Sequence, residues 1–146
     1  MILVLSGPNL NLLGQREPQL YGKESLADIH KSLETLAKSL KVAIECQQTN
    51  HEGTLIDWLQ TTKADAIVMN AGGLTHTSVA LRDTVAAIAK PVVEVHLTHI
   101  FAREPFRRTS LLAEVCAGMV SGFGSESYRL GLRAAANLVT PKTRQR

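Results

Sequence analysis

Arg16 and Tyr21 lie five positions apart in the segment GPNLNLLGQREPQLYG, residues 7–22, which follows a short apolar run, Ile2 to Leu5. Gly, Pro and Asn give this segment the composition of a loop that closes over something. A tyrosine in such a loop is ordinarily an exposed or half-packed aromatic. A guanidinium held beside it favours the phenolate, and a reference pKa of about 10 then moves toward the range of a useful base. A base of this kind needs an acid as partner. Glu94 and His96 stand two apart at the end of another apolar run, and strand alternation puts both side chains on one face. There the carboxylate can orient the imidazole and keep it ready as a general acid near neutrality. The plainer reading is a histidine that only hydrogen-bonds at a sheet edge.

Other polar residues follow apolar runs in the same way. Asn9 and Asn11 follow the first, Asn70, Gly72, Gly73, Thr75 and His76 follow another, and Thr98 and His99 follow His96. Each has a structural alternative. His76 precedes an amphipathic helix and either caps it or binds a ligand; Asn70 either holds a ligand or stabilises a turn. Gly72 and Gly73 would let backbone approach a ligand closely. Asp83 falls within a helical pattern, where a solvated carboxylate is the default unless a neighbouring subunit lies over it. The spacing Glu94-x-His96-x-x-His99 straddles a strand end and does not share a helix face as HExxH does, so a metal site is not expected. The sequence has no GxSxG elbow, Walker A loop or GxGxxG fingerprint, and so gives no sign of a serine hydrolase or of a bound nucleotide.

The elements that must position these residues alternate along the chain. Apolar runs predict strands over Ile2 to Leu5, Val42 to Gln47, Ala66 to Met69, Pro91 to His96 and Cys116 to Val120. Helical spacing predicts helices over Ser25 to Leu40, Thr54 to Gln60, Ser78 to Ala89 and Ser127 to Leu138, with Ser25 and Asp28 spaced as a capping box. Five strands alternating with helices predict an α/β domain with near-continuous apolar parallel strands. The expected topology is flavodoxin-like: a three-layer sandwich around a five-stranded parallel sheet of order 2-1-3-4-5. Ligands bind beyond the carboxyl ends of the strands in such sheets, where the polar clusters fall.

Composition narrows the classes. At 146 residues and 45% hydrophobic, the chain is expected to form one domain over 1–146, with the basic tail at about 141–146 frayed. The longest apolar runs are strand-sized, so no membrane span or targeting segment is expected, and a cytoplasmic location is. Cys46 and Cys116 read as reduced core thiols. Net charge is +3, with Arg103, Arg107 and Arg108 clustered, while aromatics are only 4%. An anionic small molecule fits this better than nucleic acid, which would want stacking platforms or a basic recognition helix.

The stretches GPNLNLLGQREPQLYG, QTNHEG (48–53), NAGGLTHTSVALRD (70–83) and EVHLTHIFAREPFRR (94–108) resemble, in order and spacing, the signature blocks of type II 3-dehydroquinate dehydratase. The resemblance implies dehydration of 3-dehydroquinate to 3-dehydroshikimate with neither metal nor organic cofactor. It matches Tyr21 to the base that takes the C2 proton and Arg16 to the group that keeps the phenolate available. Asn9 matches the residue holding a water at the enolate; His96, oriented by Glu94, matches the acid for the departing C1 hydroxyl, which Asn70 would hold. It further implies that Leu97 and Thr98 meet the substrate carboxylate, that His76 and Arg107 grip ring hydroxyls, and that Arg103 takes the basic position beside the loop. Asp83 would belong to a neighbouring subunit's site in a dodecamer built from trimers. Thr98-His99 stands where the family commonly has Ser-Asn, and Phe101 where a polar residue is usual. Two other readings stand beside this one: a flavodoxin-like binding or regulatory module, which would need neither a base at Tyr21 nor an acid at His96, and a related lyase or isomerase for another cyclic hydroxy-keto acid.

Overall fold

The computed structural model describes residues 1–15, 19 and 23–140. Within them the strands are β1 (Ile2–Ser6), β2 (Ile44–Gln48), β3 (Ala66–Asn70), β4 (Val92–His96) and β5 (Gly118–Ser121). The helices are α1 (Leu26–Leu40), α2 (Glu52–Thr61), α3 (Val79–Ala87) and α4 (Glu126–Val139). All pairings are parallel, in the order β2-β1-β3-β4-β5. This is the flavodoxin-like α/β arrangement expected from the strand–helix alternation. The tail 141–146 lies outside the described residues.

Period-two alternation divides the strands between two cores. Ile2, Val4, Val68, Val93 and Val95 face Leu33 and Ala37 of α1 and Tyr128 and Leu132 of α4. Leu3, Leu5, Ile67, Met69 and Val92 face Leu55 and Leu59 of α2 and Leu81 and Val85 of α3. Central strands buried on both faces must be apolar throughout, which is why β1 and β3 read as continuous runs. Edge strand β2 departs from that expectation: it is only half-buried and carries Glu45, Gln47 and Gln48. Helix α4 lies directly on the sheet because Gly131 has no side chain; a Cβ there would stand 2.5 Å from the Val95 Cγ1 and 3.2 Å from that of Val68.

Boundaries moved where end chemistry outweighs periodicity. The Ser25–Asp28 capping box is present, with Ser25 Oγ accepting from the Asp28 N–H at 3.1 Å and the Asp28 carboxylate from the Ser25 N–H at 3.1 Å. Lys41 closes α1 in the left-handed region (φ 58°), and the Val42 N–H returns to the Ala37 carbonyl, so β2 begins two residues later than expected. Helix α2 starts at Glu52, ahead of Thr54, because Gly53 continues its first turn. Among the described residues no helix is long and apolar enough to cross a membrane.

Candidate active site

Each of β1, β3 and β4 ends in a polar residue at the same edge of the sheet, and register fixes their relation. Ser6 pairs with Asn70 across β1 and β3, and β4 carries Glu94 and His96 one strand further on. Beyond this edge opens a cleft of about 160 Å³. Asn9, Asn70, His76, His96, Leu97, Thr98, Arg103 and Arg107 line it. With Gly72 and Gly73, ten of the residues singled out in the sequence therefore share one concavity, and Glu94 stands directly behind His96. Asp83 does not line the cleft: it is exposed on α3. Arg16 and Tyr21 lie outside the described residues.

A buried carboxylate–imidazole pair is built on β4. Glu94 is fully buried and His96 is 5% exposed, with His96 Nε2 2.5 Å from Glu94 Oε2. Two hydroxyls complete the carboxylate's shell: Thr75 donates to Oε2 at 2.9 Å, and Ser110 lies 2.9 and 2.8 Å from the two oxygens. Burial pushes the Glu94 carboxyl up, but the hydrogen bond and charge of His96, with the Ser110 and Thr75 hydroxyls, outweigh it and hold the group below the ordinary carboxylate value. An ionised Glu94 makes Nε2 of His96 a donor, which leaves Nδ1 as the nitrogen for a ligand. His76 stacks on His96 at 6.5 Å between ring centres. Its Nδ1 donates to the Thr109 carbonyl at 2.8 Å, so Nε2 remains for the cleft. The helix-cap alternative for His76 is corrected here, because Ser78 caps α3 by accepting from the Leu81 N–H.

The remaining walls supply positive charge and fixed backbone. Arg103 donates to the Thr98 hydroxyl at 3.2 Å, which leaves the hydroxyl's own proton for a ligand. Arg107 pairs with Glu104 at 2.8 Å and lies 5.0 Å from the Phe106 ring centre. Two arginines beside a half-apolar cleft favour an anionic ligand. Gly72 lines the cleft and has a second reason to be glycine: its φ is +59°, and a Cβ would stand 2.9 Å from the Pro8 carbonyl oxygen. Gly73, by contrast, has open space where a Cβ would project.

Three supporting residues had no assigned role in the sequence reading. Thr75 stood in the GGLTHTS run without a task, and Ser110 lies 16 positions after Glu94 in an irregular loop, where nothing local marks it. Tyr128 sits on the apolar face of α4 and so reads as core. It is wholly buried, its hydroxyl is 2.8 Å from that of Ser6, and Asn70 also hydrogen-bonds to it. Burial pushes this phenol up to about 12 against those hydrogen bonds, so it is a neutral hydroxyl at physiological pH. The thiols of Cys46 and Cys116 are half-buried and free, and burial pushes each up to about 12. Among the described residues no three of His, Cys, Asp or Glu are grouped to hold a metal ion. His99 is exposed, with its ring edge-on to Phe101 at 6.1 Å.

Comparison with known proteins agrees with this fold. Residues 1–136 match the family described as dehydroquinase class II. A 3-dehydroquinate dehydratase of Desulforudis audaxviator is 57% identical over 95% of this chain and 94% of its own length. One from Gloeobacter violaceus is 50% identical over 99% of this chain and 91% of its own length. The solved structure of a type II dehydroquinase from Butyrivibrio crossotus superposes with a TM-score of 0.90 at 38% identity, covering 93% of this chain and 96% of that one. The match runs over nearly the whole chain, in sequence and in fold: the chain belongs to the class II dehydroquinase family.

Proposed function

We propose that this chain is a 3-dehydroquinate dehydratase, eliminating water from 3-dehydroquinate to give 3-dehydroshikimate through an enolate. The observation that carries the reading is the buried Glu94–His96 pair, whose free imidazole nitrogen faces a cleft walled by Arg103 and Arg107. A binding module has no need for a buried, hydroxyl-satisfied carboxylate behind a histidine, because holding an anion takes only arginines and amides.

In this mechanism the Tyr21 phenolate, favoured by Arg16, takes the C2 proton next to the ketone. Negative charge develops on the ketone oxygen, where a water held by Asn9 donates a hydrogen bond. The C1–oxygen bond then breaks, with the electron pair leaving on oxygen and a proton arriving from His96 Nδ1; water departs and the double bond closes between C1 and C2. Glu94 accepts from Nε2 throughout and stabilises the imidazolium form that gives the proton. Transfer of the Tyr21 proton back to His96 through solvent resets the pair. Asn70 holds the leaving hydroxyl in line, Leu97 and Thr98 meet the substrate carboxylate, and His76 and Arg107 hold ring hydroxyls. Arg103 supplies charge beside them. Asp83, exposed on α3, would complete a neighbouring subunit's site in a dodecamer of trimers, and no metal or organic cofactor takes part. The enzyme works in the cytoplasm, in the shikimate pathway or in quinate breakdown.

The test is the ultraviolet absorbance of the conjugated enone when purified protein meets 3-dehydroquinate in metal-free buffer. A signal is expected, and its absence rejects the activity. Tyr21→Phe should lose at least about 10²-fold in turnover with substrate affinity largely kept, and His96→Ala should slow the step after the enolate. Near-normal rates in either variant would remove that residue from its role.

A further inference from the structure

The QTN run that leaves β2, residues 48–50, takes no part in the chemistry above, yet its side chains reach the loop that carries Asn9. The Asn50 side-chain carbonyl accepts from the backbone N–H of Asn9 at 3.0 Å. Gln48 Nε2 donates to that same Asn50 oxygen at 3.1 Å and to the Gly7 carbonyl at 3.2 Å. One side-chain amide thus ties the start of the loop to the residue that holds Asn9. Asn9 itself has a left-handed backbone, φ 71° and ψ −6°, a conformation that costs a non-glycine residue energy unless its surroundings hold it.

The loop is fixed from its other side by β3. The Gly7 N–H donates to the Asn70 carbonyl at 2.8 Å, and Gly72 lies close under Pro8. Those contacts set how near the loop comes to the sheet. They do not set the peptide orientation at Asn9, since neither engages the Asn9 N–H. The contact that does is Asn50.

We propose that Gln48 and Asn50 are positioning residues for Asn9, holding its strained backbone so that its side chain points into the cleft. This rests on the dehydratase reading for the role of Asn9, while the clamp itself is a property of the fold. Asp at position 50 keeps an acceptor oxygen for both donors; Ala removes it; Glu at position 48 turns the shared donor into an acceptor facing two oxygens.

Three variants test it: Asn50→Ala, Asn50→Asp and Gln48→Glu, each measured for kcat, KM, thermal midpoint and hydrogen exchange at the Asn9 amide by NMR. Asn50→Ala should lower kcat about five- to tenfold with KM within about twofold, and speed Asn9 amide exchange about tenfold. Gln48→Glu should follow it, and Asn50→Asp should restore both to within about twofold of wild type. Equal loss in Asn50→Ala and Asn50→Asp would overturn the proposal, and so would unchanged Asn9 exchange in Asn50→Ala. The exchange measurement needs no turnover, so it decides the clamp even for a wild-type protein inert toward 3-dehydroquinate, an outcome that would reject the activity alone.

Discussion

Two buried polar clusters sit at the same edge of the sheet, one on each face, and they differ in charge. On the α2/α3 face, Glu94 meets His96, Thr75 and Ser110, and the cluster opens into the cleft through His96. On the α1/α4 face, Ser6, Tyr128 and Asn70 form a neutral cluster, with Tyr128 closed off beneath the sheet. Burying a carboxylate costs several kcal/mol unless its oxygens are paired and hydrogen-bonded, so a charge is kept inside only with a shell like that of Glu94. The neutral cluster costs far less and can only orient. Edge position alone therefore does not distinguish the two clusters; charge and access to the cleft do.

The largest expected effect breaks the charged cluster. Glu94→Gln should lower kcat roughly 10²-fold while the fold survives, since the amide still accepts from Thr75 and Ser110 but no longer stabilises an imidazolium. Retained turnover would make the two clusters equivalent. Stability gives a second readout. The folded Glu94 carboxyl lies below its ordinary value of 4.5, so as acid is added the unfolded chain takes up this proton first. Its stabilising contribution is complete above that ordinary value and is lost as pH falls through the folded one. The stability difference between wild type and Glu94→Gln should therefore change as pH falls below about 4.5. A difference independent of pH would contradict the assignment.

The neutral cluster should answer more weakly and mainly in stability. Tyr128→Phe removes a buried hydroxyl that serves Ser6 and Asn70, and urea unfolding should report a loss of about 1–2 kcal/mol with kcat lowered only severalfold. The sign at high pH is fixed. A phenol raised to about 12 keeps its proton in the folded chain while the unfolded chain loses it from 10, so its contribution is full below pH 10 and disappears as pH climbs through 12. Tyr128→Phe should flatten that part of the alkaline loss, and an identical alkaline profile would argue against a buried phenol. The smallest effect is expected from Ser110→Ala. Thr75 and His96 still satisfy Glu94, so kcat should fall only about threefold, with the acid-side stability loss smaller and complete at a higher pH because the carboxyl has lost a donor. A loss as large as that of Glu94→Gln would mean that Ser110, and not the histidine, keeps the carboxylate ionised.

Much of this was legible in the chain because short-range periodicity carries it. Continuous apolar runs gave β1 and β3, helical spacing gave α1, and Ser25 with Asp28 marked a real capping box. The Glu94–His96 pair was legible because two-residue alternation puts both on one face. Strand β2 was misjudged because edge position is a tertiary fact: with one neighbour instead of two, it tolerates Glu45 and Gln47. Ser110, Tyr128 and the reach of Asn50 to Asn9 were invisible for the same kind of reason. Their partners lie 16 to 122 positions away, and no local pattern marks a hydroxyl that finishes someone else's carboxylate or phenol.

By itself the sequence determined the element types, the sheet class and the carboxylate–imidazole pair at the end of one strand, because backbone period and side-chain chemistry act over a few residues. The motif resemblance added the family, and whole-chain comparison agreed. Only the tertiary structure decided which polar groups share a face, which carboxylate is fully satisfied and which backbone is held in a strained turn. Those depend on strand order and register, and a buried charge or a left-handed asparagine persists only where packing from distant segments supplies the missing hydrogen bonds.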